Sequence, residues 1–462
     1  MSVAADAWEP TPVGASSPVP SPPAASPVSE IGPAVASVQR AFDAIAADGR
    51  PGIWIALTDQ AVALARAAAI DDRVRQGERL PLAGRTLAVK DNIDVAGLPT
   101  TAGCPSYAYR PSLDAPAVAA LVAAGAIVIG KTNLDQFATG LVGTRSPYGP
   151  CPNARWDPLV SGGSSSGSAV AVAAGHVDLA LGTDTAGSGR VPAAANGIVG
   201  VKPTIGRIST VGVVPACRSF DCVSVFATTV AEASRAASLA ARGAPGSRRV
   251  AVHHRAPGPV RIGVPSGPSL HAAGMGELEQ EAFAVARKLV RAALGVPKPF
   301  VVDLTPFAEA GALLYGGAFL AERFEAVGRF LASSPPDADP VVSRIILQGA
   351  EVTAVDLARD RSRLAVLRTE VAVLWDRIDA LVLPTVPGLP TTDDVAADPV
   401  GVNAALGAFT TSTNLLDLAA VTIPVGPAPT IGTTSVGPPA SVTFVGPAGS
   451  DRFLAELAST LA

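Results

Sequence analysis

The chain has 462 residues, of which 48% are hydrophobic and 16% are charged, and its formal net charge at pH 7 is −4. This length supports a large hydrophobic core in one domain or a few, and the mildly acidic balance excludes the basic surface by which proteins bind nucleic acids. Four cysteines without a CxxC pair and only four histidines predict neither a disulfide framework nor a metal site, and no cofactor is expected.

The N-terminal segment over residues 1–35 is rich in proline, alanine and serine. Such a composition buries too little apolar surface to offset the entropy of the chain, so we predict a disordered tail there. The segment lacks the basic and apolar regions of a secretory signal, and no later apolar run is long enough to span a membrane. We therefore expect a cytoplasmic protein with no membrane partner.

Beyond this tail, helical and extended patterns alternate along the chain. Helical periodicity or small apolar residues predict helices over 38–46, 61–74, 115–124, 168–174, 230–241, 276–294, 308–330 and 353–377. Short apolar runs predict strands over 85–89, 126–130, 177–181, 260–264, 379–383, 421–425 and 441–445. This alternation predicts an α/β fold, and we expect residues 36–462 to form one large domain.

Two glycine-rich runs carry serines between these elements, Gly-Gly-Ser-Ser-Ser-Gly over 162–167 and Gly-Thr-Asp-Thr-Ala-Gly-Ser-Gly-Arg over 182–190. Alone, the first could be a linker or an anion-binding turn before a helix, although it lacks the Lys-Ser/Thr ending of a phosphate-binding loop, and the second could be a simple turn. Together they offer a nucleophilic hydroxyl at Ser188 and a relay hydroxyl at Ser164. An oxyanion hole would be formed by successive backbone N–H groups, those of Thr185, Ala186, Gly187 and Ser188.

A serine hydroxyl needs a base to become nucleophilic, and in the absence of a nearby histidine the candidate is Lys90, at the end of a predicted apolar strand. Burial there would lower the pKa of the lysine, and a shift from about 10.4 to about 7 corresponds to roughly 4–5 kcal/mol. Neutral Lys90 could then take the proton of Ser188 through Ser164. Considered by itself, Lys90 is more simply an ion-pair partner of Asp91 or Asp94.

Two further runs accompany these residues, Ala-Val-Lys-Asp-Asn over 88–92 and Val-Gly-Val-Lys-Pro-Thr over 199–204. Together with the serine runs they resemble the amidase signature family. The resemblance implies a catalytic triad in which Ser188 is the nucleophile, Ser164 is the relay at a cis peptide bond and Lys90 is the base. It also implies the amidase signature fold, a large twisted mixed β-sheet surrounded by helices.

Within that family, three runs are most similar to the allophanate hydrolases, those over 131–143, 185–193 and 214–224. The segment with Leu-Tyr-Gly-Gly over 314–317 and Ala-Glu-Arg over 321–323 resembles their substrate-binding helix. This resemblance implies that Tyr315 and Arg323 hold a substrate carboxylate. Arginine suits this role because it binds carboxylates through two parallel hydrogen bonds, although spacing alone is more typical of a surface arginine. The implied activity is cleavage of the amide C–N bond of allophanate, a small-molecule substrate, with release of ammonia in urea degradation.

The sequence also departs from these relatives. They often carry a C-terminal domain that handles decarboxylation after amide cleavage. Because this sequence ends at Ala462, we expect that domain to be absent and the step to be left to spontaneous decay or to a separate decarboxylating partner protein. The run over 409–414 differs from the aromatic, asparagine-containing run expected there. The family further implies a homodimer.

Three other functions remain open from the sequence. They are a broader-specificity amidase, the glutaminase subunit of a tRNA-dependent amidotransferase, and a non-catalytic binding subunit. The last is disfavoured because Lys90, Ser164 and Ser188 are all present.

Overall fold

The computed structural model describes residues 32–242, 245–248, 250–253, 255, 258–426, 430–431, 434–435 and 437–461. Most of the segment predicted as a disordered tail lies outside these residues. The first helix begins at Pro33, whereas the helix predicted from the sequence begins at residue 38. Its start is fixed by the carboxylate of Asp71, which accepts hydrogen bonds from the backbone N–H groups of Ala34 and Val35.

The strands of the described fold lie mainly in one large mixed sheet. In chain order they are β1 (Trp54–Leu57), β2 (Thr86–Lys90), β3 (Ile127–Thr132), β4 (Leu179–Asp184), β5 (Val199–Lys202), β6 (Cys222–Ala227), β7 (Ile262–Pro265), β8 (Phe300–Val302), β9 (Ala380–Pro384), β10 (Ala419–Val425), β11 (Thr430–Ile431), β12 (Thr434–Ser435) and β13 (Ala440–Gly446). Eleven of them form the sheet in the order β1-β3-β2-β4-β6-β5-β10-β13-β9-β7-β8, and β11 pairs with β12 separately. The predicted mixed sheet is confirmed.

Helices surround this sheet. They are α1 (Pro33–Asp48), α2 (Gln60–Arg75), α3 (Pro116–Ala123), α4 (Ser166–Ala173), α5 (Arg190–Ala195), α6 (Val230–Ala240), α7 (Gly267–Ala272), α8 (Glu277–Leu294), α9 (Thr305–Tyr315), α10 (Leu320–Arg323), α11 (Arg329–Leu331), α12 (Pro340–Leu347), α13 (Ala354–Ala372), α14 (Thr392–Ala397), α15 (Gly401–Leu406), α16 (Thr411–Leu415) and α17 (Asp451–Ser459). Short 3-10 turns lie at Pro105–Tyr107, Gln136–Ala138, Gln348–Glu351 and Val373–Asp376, and a π-helical turn at Phe324–Gly328. None of the helices in the part of the chain that the structure describes is long and apolar enough to cross a membrane.

Both faces of the sheet are covered, because alternate residues of a strand point to opposite sides. On β2, Leu87 and Val89 enter one hydrophobic core together with residues of α3 and α6. Ala88 enters a second core together with residues of α1, α2 and α4. Such two-sided burial explains why β2 is a continuous apolar run rather than an alternating one.

The carboxyl ends of two central strands bring the candidate catalytic residues to one edge of the sheet. β2 and β4 are adjacent, parallel and fully buried. Lys90 is the last residue of β2, and the run that contains Ser188 directly follows Asp184 at the end of β4. In α/β proteins, ligands bind beyond the carboxyl ends of the strands, so this edge is where a site is expected.

One predicted helix is wrong in its extent. The segment over 308–330 does not form a single helix, because α9 ends at Tyr315 and α10 begins only at Leu320. The break lies at two glycines, and a side chain on Gly317 would approach the carbonyl oxygen of Leu313 to 2.6 Å. The next backbone N–H, that of Ala318, donates to the carboxylate of Asp360 instead of continuing the helix.

Candidate active site

Lys90 lies between two hydroxyl groups at the end of β2. Its Nζ donates hydrogen bonds to Ser164 Oγ at 2.8 Å and to Thr183 Oγ1 at 2.7 Å, and the side chain is fully buried. No ion pair among the described residues joins Lys90 to a carboxylate. Asp91 is paired instead with Lys131, whose Nζ lies 3.1 Å from Asp91 Oδ1. The ion pair considered from the sequence is therefore not formed among the described residues, and Lys90 is hydrogen-bonded to the predicted relay serine instead.

Burial lowers the pKa of Lys90 from its ordinary value to about 7. The negative charges of Asp135, Asp184 and Asp221 oppose this shift but are outweighed by the loss of solvation. A lysine with this pKa is neutral in about half of the molecules at pH 7 and can accept a proton. The environment thus supplies the property that a general base requires.

The first serine run is packed into the fold. The peptide bond between Gly163 and Ser164 is cis. Ser165 Oγ donates to the carbonyl oxygen of Thr183 and accepts from its backbone N–H, which joins the run to β4, and α4 starts at Ser166. These contacts place the Ser164 hydroxyl beside Lys90 and leave no room for the flexible linker considered from the sequence.

Ser188 is buried next to this run. Its carbonyl oxygen accepts a hydrogen bond from the backbone N–H of Ser165 at 3.4 Å, so the two serine runs are in direct contact. The Ser188 hydroxyl makes one long hydrogen bond, 3.5 Å to the carbonyl oxygen of Gly140. Among the described residues, no hydrogen bond joins the side chains of Ser188 and Ser164.

The backbone around Ser188 is organised by a carboxylate. Asp184 Oδ1 accepts from the N–H of Gly187 at 2.9 Å, and its Oδ2 accepts from the N–H of Gly189 at 3.0 Å. The Gly187 N–H, predicted as an oxyanion donor, is therefore already engaged. The other three predicted donors, the N–H groups of Thr185, Ala186 and Ser188, make no hydrogen bond within the described part of the chain.

A buried ion pair connects this loop to α16. Arg190 binds the carboxylate of Asp184 with two nitrogen atoms, and both side chains are fully buried. The same guanidinium donates to Thr410 O, Thr413 Oγ1 and Asn414 Oδ1. The run over 409–414, which departs from the expected pattern, is thus part of the support of the nucleophile loop.

Thr410 also contacts the loop directly. Its hydroxyl donates to the carbonyl oxygen of Ala186 at 2.7 Å. The peptide group between Ala186 and Gly187 is therefore held from both sides, by Thr410 at its carbonyl and by Asp184 at its N–H. Gly187 has a φ of 131°, and a side chain there would approach Thr410 Oγ1 to 2.2 Å, so this position requires glycine.

The predicted carboxylate-binding residues lie together. The guanidinium carbon of Arg323 is 4.7 Å from the ring centre of Tyr315, within the range of a cation–π contact. Arg323 is only 1% exposed, and its Nη1 donates to Thr139 Oγ1 at 3.0 Å. Its Nε and Nη2 have no hydrogen-bond partner among the residues that the structure describes. Because Thr139 precedes Gly140, Arg323 and Ser188 bind to neighbouring residues of one loop.

Several residues of the site had no predicted role, above all Thr139, Gly140 and Thr183. The loop with the first two is shaped by Asp135, whose carboxylate accepts three backbone N–H groups, those of Val142, Gly143 and Arg145. The sequence does contain a signal for this turn, since an aspartate followed by glycines is typical of a side chain that binds its own downstream backbone.

A cavity of about 760 Å³ adjoins the site. Leu141, Tyr315 and Thr411 are among its lining residues, and α7, α9 and α15 contribute much of the remaining wall. No group of three or more His, Cys, Asp or Glu side chains in the described ranges is arranged to hold a metal ion.

Comparisons with known proteins identify relatives of this chain. Residues 37–454 match the protein-family model described as Amidase. The chain is 44% identical over 415 residues to a urea amidolyase of Lachancea kluyveri, a match that covers 88% of this chain and 22% of that protein. It is 49% identical over 193 residues to a glutamyl-tRNA(Gln) amidotransferase subunit of Anaeromyxobacter sp. (strain K), which covers 41% of this chain and 39% of that protein.

Among solved structures, the fold resembles selenomethionine-substituted allophanate hydrolase of Kluyveromyces lactis. The TM-score is 0.81 at 40% sequence identity, and the match covers 92% of this chain and 70% of that one. By contrast, the chain spans only about a fifth of the length of the urea amidolyase of Lachancea kluyveri that it matches.

Proposed function

The chain belongs to the amidase family and is a hydrolase acting on C–N amide bonds, and from this premise we propose that its substrate is allophanate (urea-1-carboxylate). Cleavage would release ammonia as a step of urea degradation. Support comes from relatives named urea amidolyase and allophanate hydrolase, which are 40–44% identical over most of this chain. The observation that carries the proposal is the state of Arg323.

Arg323 is a buried cation with two unused donor groups. Charged N–H donors that are buried without partners are costly, so these two groups are suited to binding an anion. A carboxylate fits best, because its two oxygens can accept from Nε and Nη2 in parallel. Thr139 and Tyr315 hold the guanidinium in place, and the shared loop brings the bound carboxylate near Ser188.

In the proposed reaction, the proton of Ser188 passes to Ser164 Oγ while Ser164 gives its own proton to neutral Lys90. The Ser188 oxygen attacks the carbonyl carbon that carries the terminal NH₂ group. The existing Lys90–Ser164 hydrogen bond of 2.8 Å provides half of this relay. The contact between the Ser164 and Ser188 hydroxyls would form when substrate binds, since catalytic hydrogen bonds often tighten only then.

The tetrahedral intermediate carries its negative charge on the former carbonyl oxygen. The N–H groups of Thr185, Ala186 and Ser188 are the proposed donors to this oxygen, since the N–H of Gly187 is held by Asp184. When the intermediate collapses, the C–N bond breaks and the proton on Lys90 returns through Ser164 to the nitrogen, which leaves as ammonia. Water then cleaves the ester to Ser188 and releases N-carboxycarbamate.

The test is ammonia release by purified protein from a substrate panel of allophanate, glutamine, and simple aliphatic and aryl amides. We expect allophanate to have the highest kcat/KM and the Ser188→Ala variant to show no turnover. Faster turnover of simple amides would overturn the assignment. Ammonia release from glutamine above that from allophanate would instead favour the glutaminase role in an amidotransferase.

A second candidate, a broader-specificity amidase, is favoured by one observation. The cavity beside the site has a volume of about 760 Å³, within the range that holds drug-sized ligands and far beyond the needs of allophanate. Ala312 of α9 is exposed in its wall, so Ala312→Phe would narrow it. If large amides are substrates, this variant should lose their turnover and keep that of allophanate.

A further inference from the structure

The short helix α10 contacts two different loops of the candidate site. Arg323 donates to Thr139 Oγ1 at 3.0 Å, in the loop that also accepts a hydrogen bond from the Ser188 hydroxyl. The preceding residue, Glu322, binds a second loop, over residues 216–221, which leads into β6 and which we call the β6 loop. Glu322 therefore binds protein groups, whereas the free donors of its neighbour are suited to an anion.

The carboxylate of Glu322 accepts three hydrogen bonds from the β6 loop. Its Oε2 accepts from the backbone N–H of Ser219 at 2.8 Å and from the Cys217 thiol at 3.4 Å, and its Oε1 accepts from the Ser219 hydroxyl at 2.6 Å. Phe220 of the same loop packs edge to face on Phe319, the residue before α10, with ring centres 4.8 Å apart. The β6 loop is thus held on α10 by a charged acceptor and by an aromatic contact.

The last residue of the β6 loop binds the loop that carries the nucleophile. Asp221 Oδ1 accepts from the Thr185 hydroxyl at 2.5 Å, and Asp221 is only 5% exposed. The same carboxylate accepts from the backbone N–H groups of Ala216 and Cys217, so the β6 loop is closed on itself. Because of this closure, a displacement at Ser219 is transmitted to Asp221 and from there to Thr185, one of the proposed oxyanion donors.

We propose that Glu322 is a positioning residue for amide hydrolysis, which holds the β6 loop so that Asp221 fixes Thr185 in the oxyanion hole. The inference rests on the proposed mechanism of Ser188. Oxyanion donors stabilise the transition state only when they are held in place before the charge develops. Adjacent residues of α10 would then serve the two ends of the substrate, because Arg323 binds its carboxylate and Glu322 supports the hole for its carbonyl oxygen.

Loss of Glu322 should lower kcat and leave KM nearly unchanged, because the oxyanion is absent from the bound ground state. Removal of an oxyanion donor costs about a hundredfold or more in kcat. The Thr185 N–H would be displaced but not removed, so we expect Glu322→Ala to lower kcat about tenfold. The loss should be equal on allophanate and on biuret, which has the urea group but no carboxylate. A loss confined to allophanate would show that Glu322 acts through Arg323 and would overturn the proposal.

Three matched variants separate this role from a general effect on the fold. Glu322→Gln keeps an acceptor for the Ser219 N–H and an amide that can donate to the Ser219 hydroxyl, so it should retain most of the wild-type kcat. Ser219→Ala, at an exposed position, removes one of the three hydrogen bonds and should lower kcat about threefold. Glu325→Ala, at an exposed glutamate of the following π-helical turn, should change neither kcat nor KM. Equal losses in Glu322→Gln and Glu322→Ala would contradict positioning by hydrogen bonds.

A double-mutant cycle with Thr185→Val tests the route from Glu322 to the oxyanion hole. Thr185→Val removes the hydrogen bond to Asp221 and keeps the backbone N–H, so it should lower kcat about as much as Glu322→Ala. If Glu322 acts through this bond, the double variant should be no slower than the slower single variant.

Independent effects would instead multiply to about a hundredfold, and this result would overturn the proposal. Should Glu322→Ala fail to fold, Ser219→Ala takes its place in the cycle. Ammonia release by the Ser188→Ala variant would refute the proposed function. An unchanged kcat in Glu322→Ala beside an inactive Ser188→Ala would refute this inference alone.

Discussion

The pH dependence of turnover should follow the protonation of Lys90. Burial lowers the pKa of this residue to about 7 against the pull of three carboxylates, and only the neutral amine can accept the serine proton. The neutral fraction is about one half at pH 7, about one tenth at pH 6 and about one hundredth at pH 5. We therefore predict that kcat/KM falls about tenfold for each pH unit below about 7 and reaches a plateau above about 8.

The assay is steady-state ammonia release over a range from about pH 5 to about pH 9. It should use biuret beside allophanate, because biuret keeps the urea group but has no carboxylate that titrates or is lost in acid. The Lys90→Arg variant is the control, since arginine stays protonated throughout this range and should be inactive at every pH. A midpoint above about 9, as for an ordinary exposed lysine, or a flat profile would refute the reasoning.

Three further predictions concern the support of the site. Thr410→Val should lower kcat about tenfold with little change in KM, because the Ala186 carbonyl then keeps only the longer hydrogen bond from Thr411 Oγ1 at 3.3 Å. Thr369→Val on the exposed side of α13 should have no effect. Asp184→Asn should lower the free energy of unfolding in urea by about 3–5 kcal/mol, because Arg190 keeps its charge without a counter-charge, and an unchanged midpoint would contradict this. Lys90→Met should raise the free energy of unfolding at pH 7. Between about pH 7 and pH 10, unfolded Lys90 binds a proton that the folded state lacks, so the wild type becomes more stable as pH rises and the gain from Lys90→Met should shrink. A gain that grows with pH would show that the lysine is not held neutral in the folded state.

Local patterns in the sequence were sufficient to predict the two strands that end at the site, but not that they are neighbours in the sheet. β2 is a continuous apolar run because both of its faces are buried, and such runs are visible without a structure. β5, with the four residues Val199–Lys202, was not predicted, since a strand this short and containing glycine has no clear periodicity. The break between α9 and α10 was missed because its cause is the contact of Ala318 with the distant Asp360.

The candidate site also contains residues that local sequence predicts and residues whose roles depend on distant contacts. Lys90, Ser164 and Ser188 belong to compact runs whose chemistry can be inferred from residue types, and the structure brings the runs of all three together. The role of Thr139 depends on Arg323, which is far away in the sequence, and could not be inferred from either segment alone. Likewise, only the folded loop shows that Asp184 already holds the N–H of Gly187.

The central claim is that a buried arginine selects a carboxylated urea for the serine nucleophile. It is tested most directly by the ratio of kcat/KM for allophanate to kcat/KM for biuret, measured in the wild type and in Arg323→Ala. We predict a ratio of about a hundred or more in the wild type, which falls towards one in the variant while turnover of biuret is largely kept. A wild-type ratio near one, or an equal loss on both substrates, would contradict the role of Arg323.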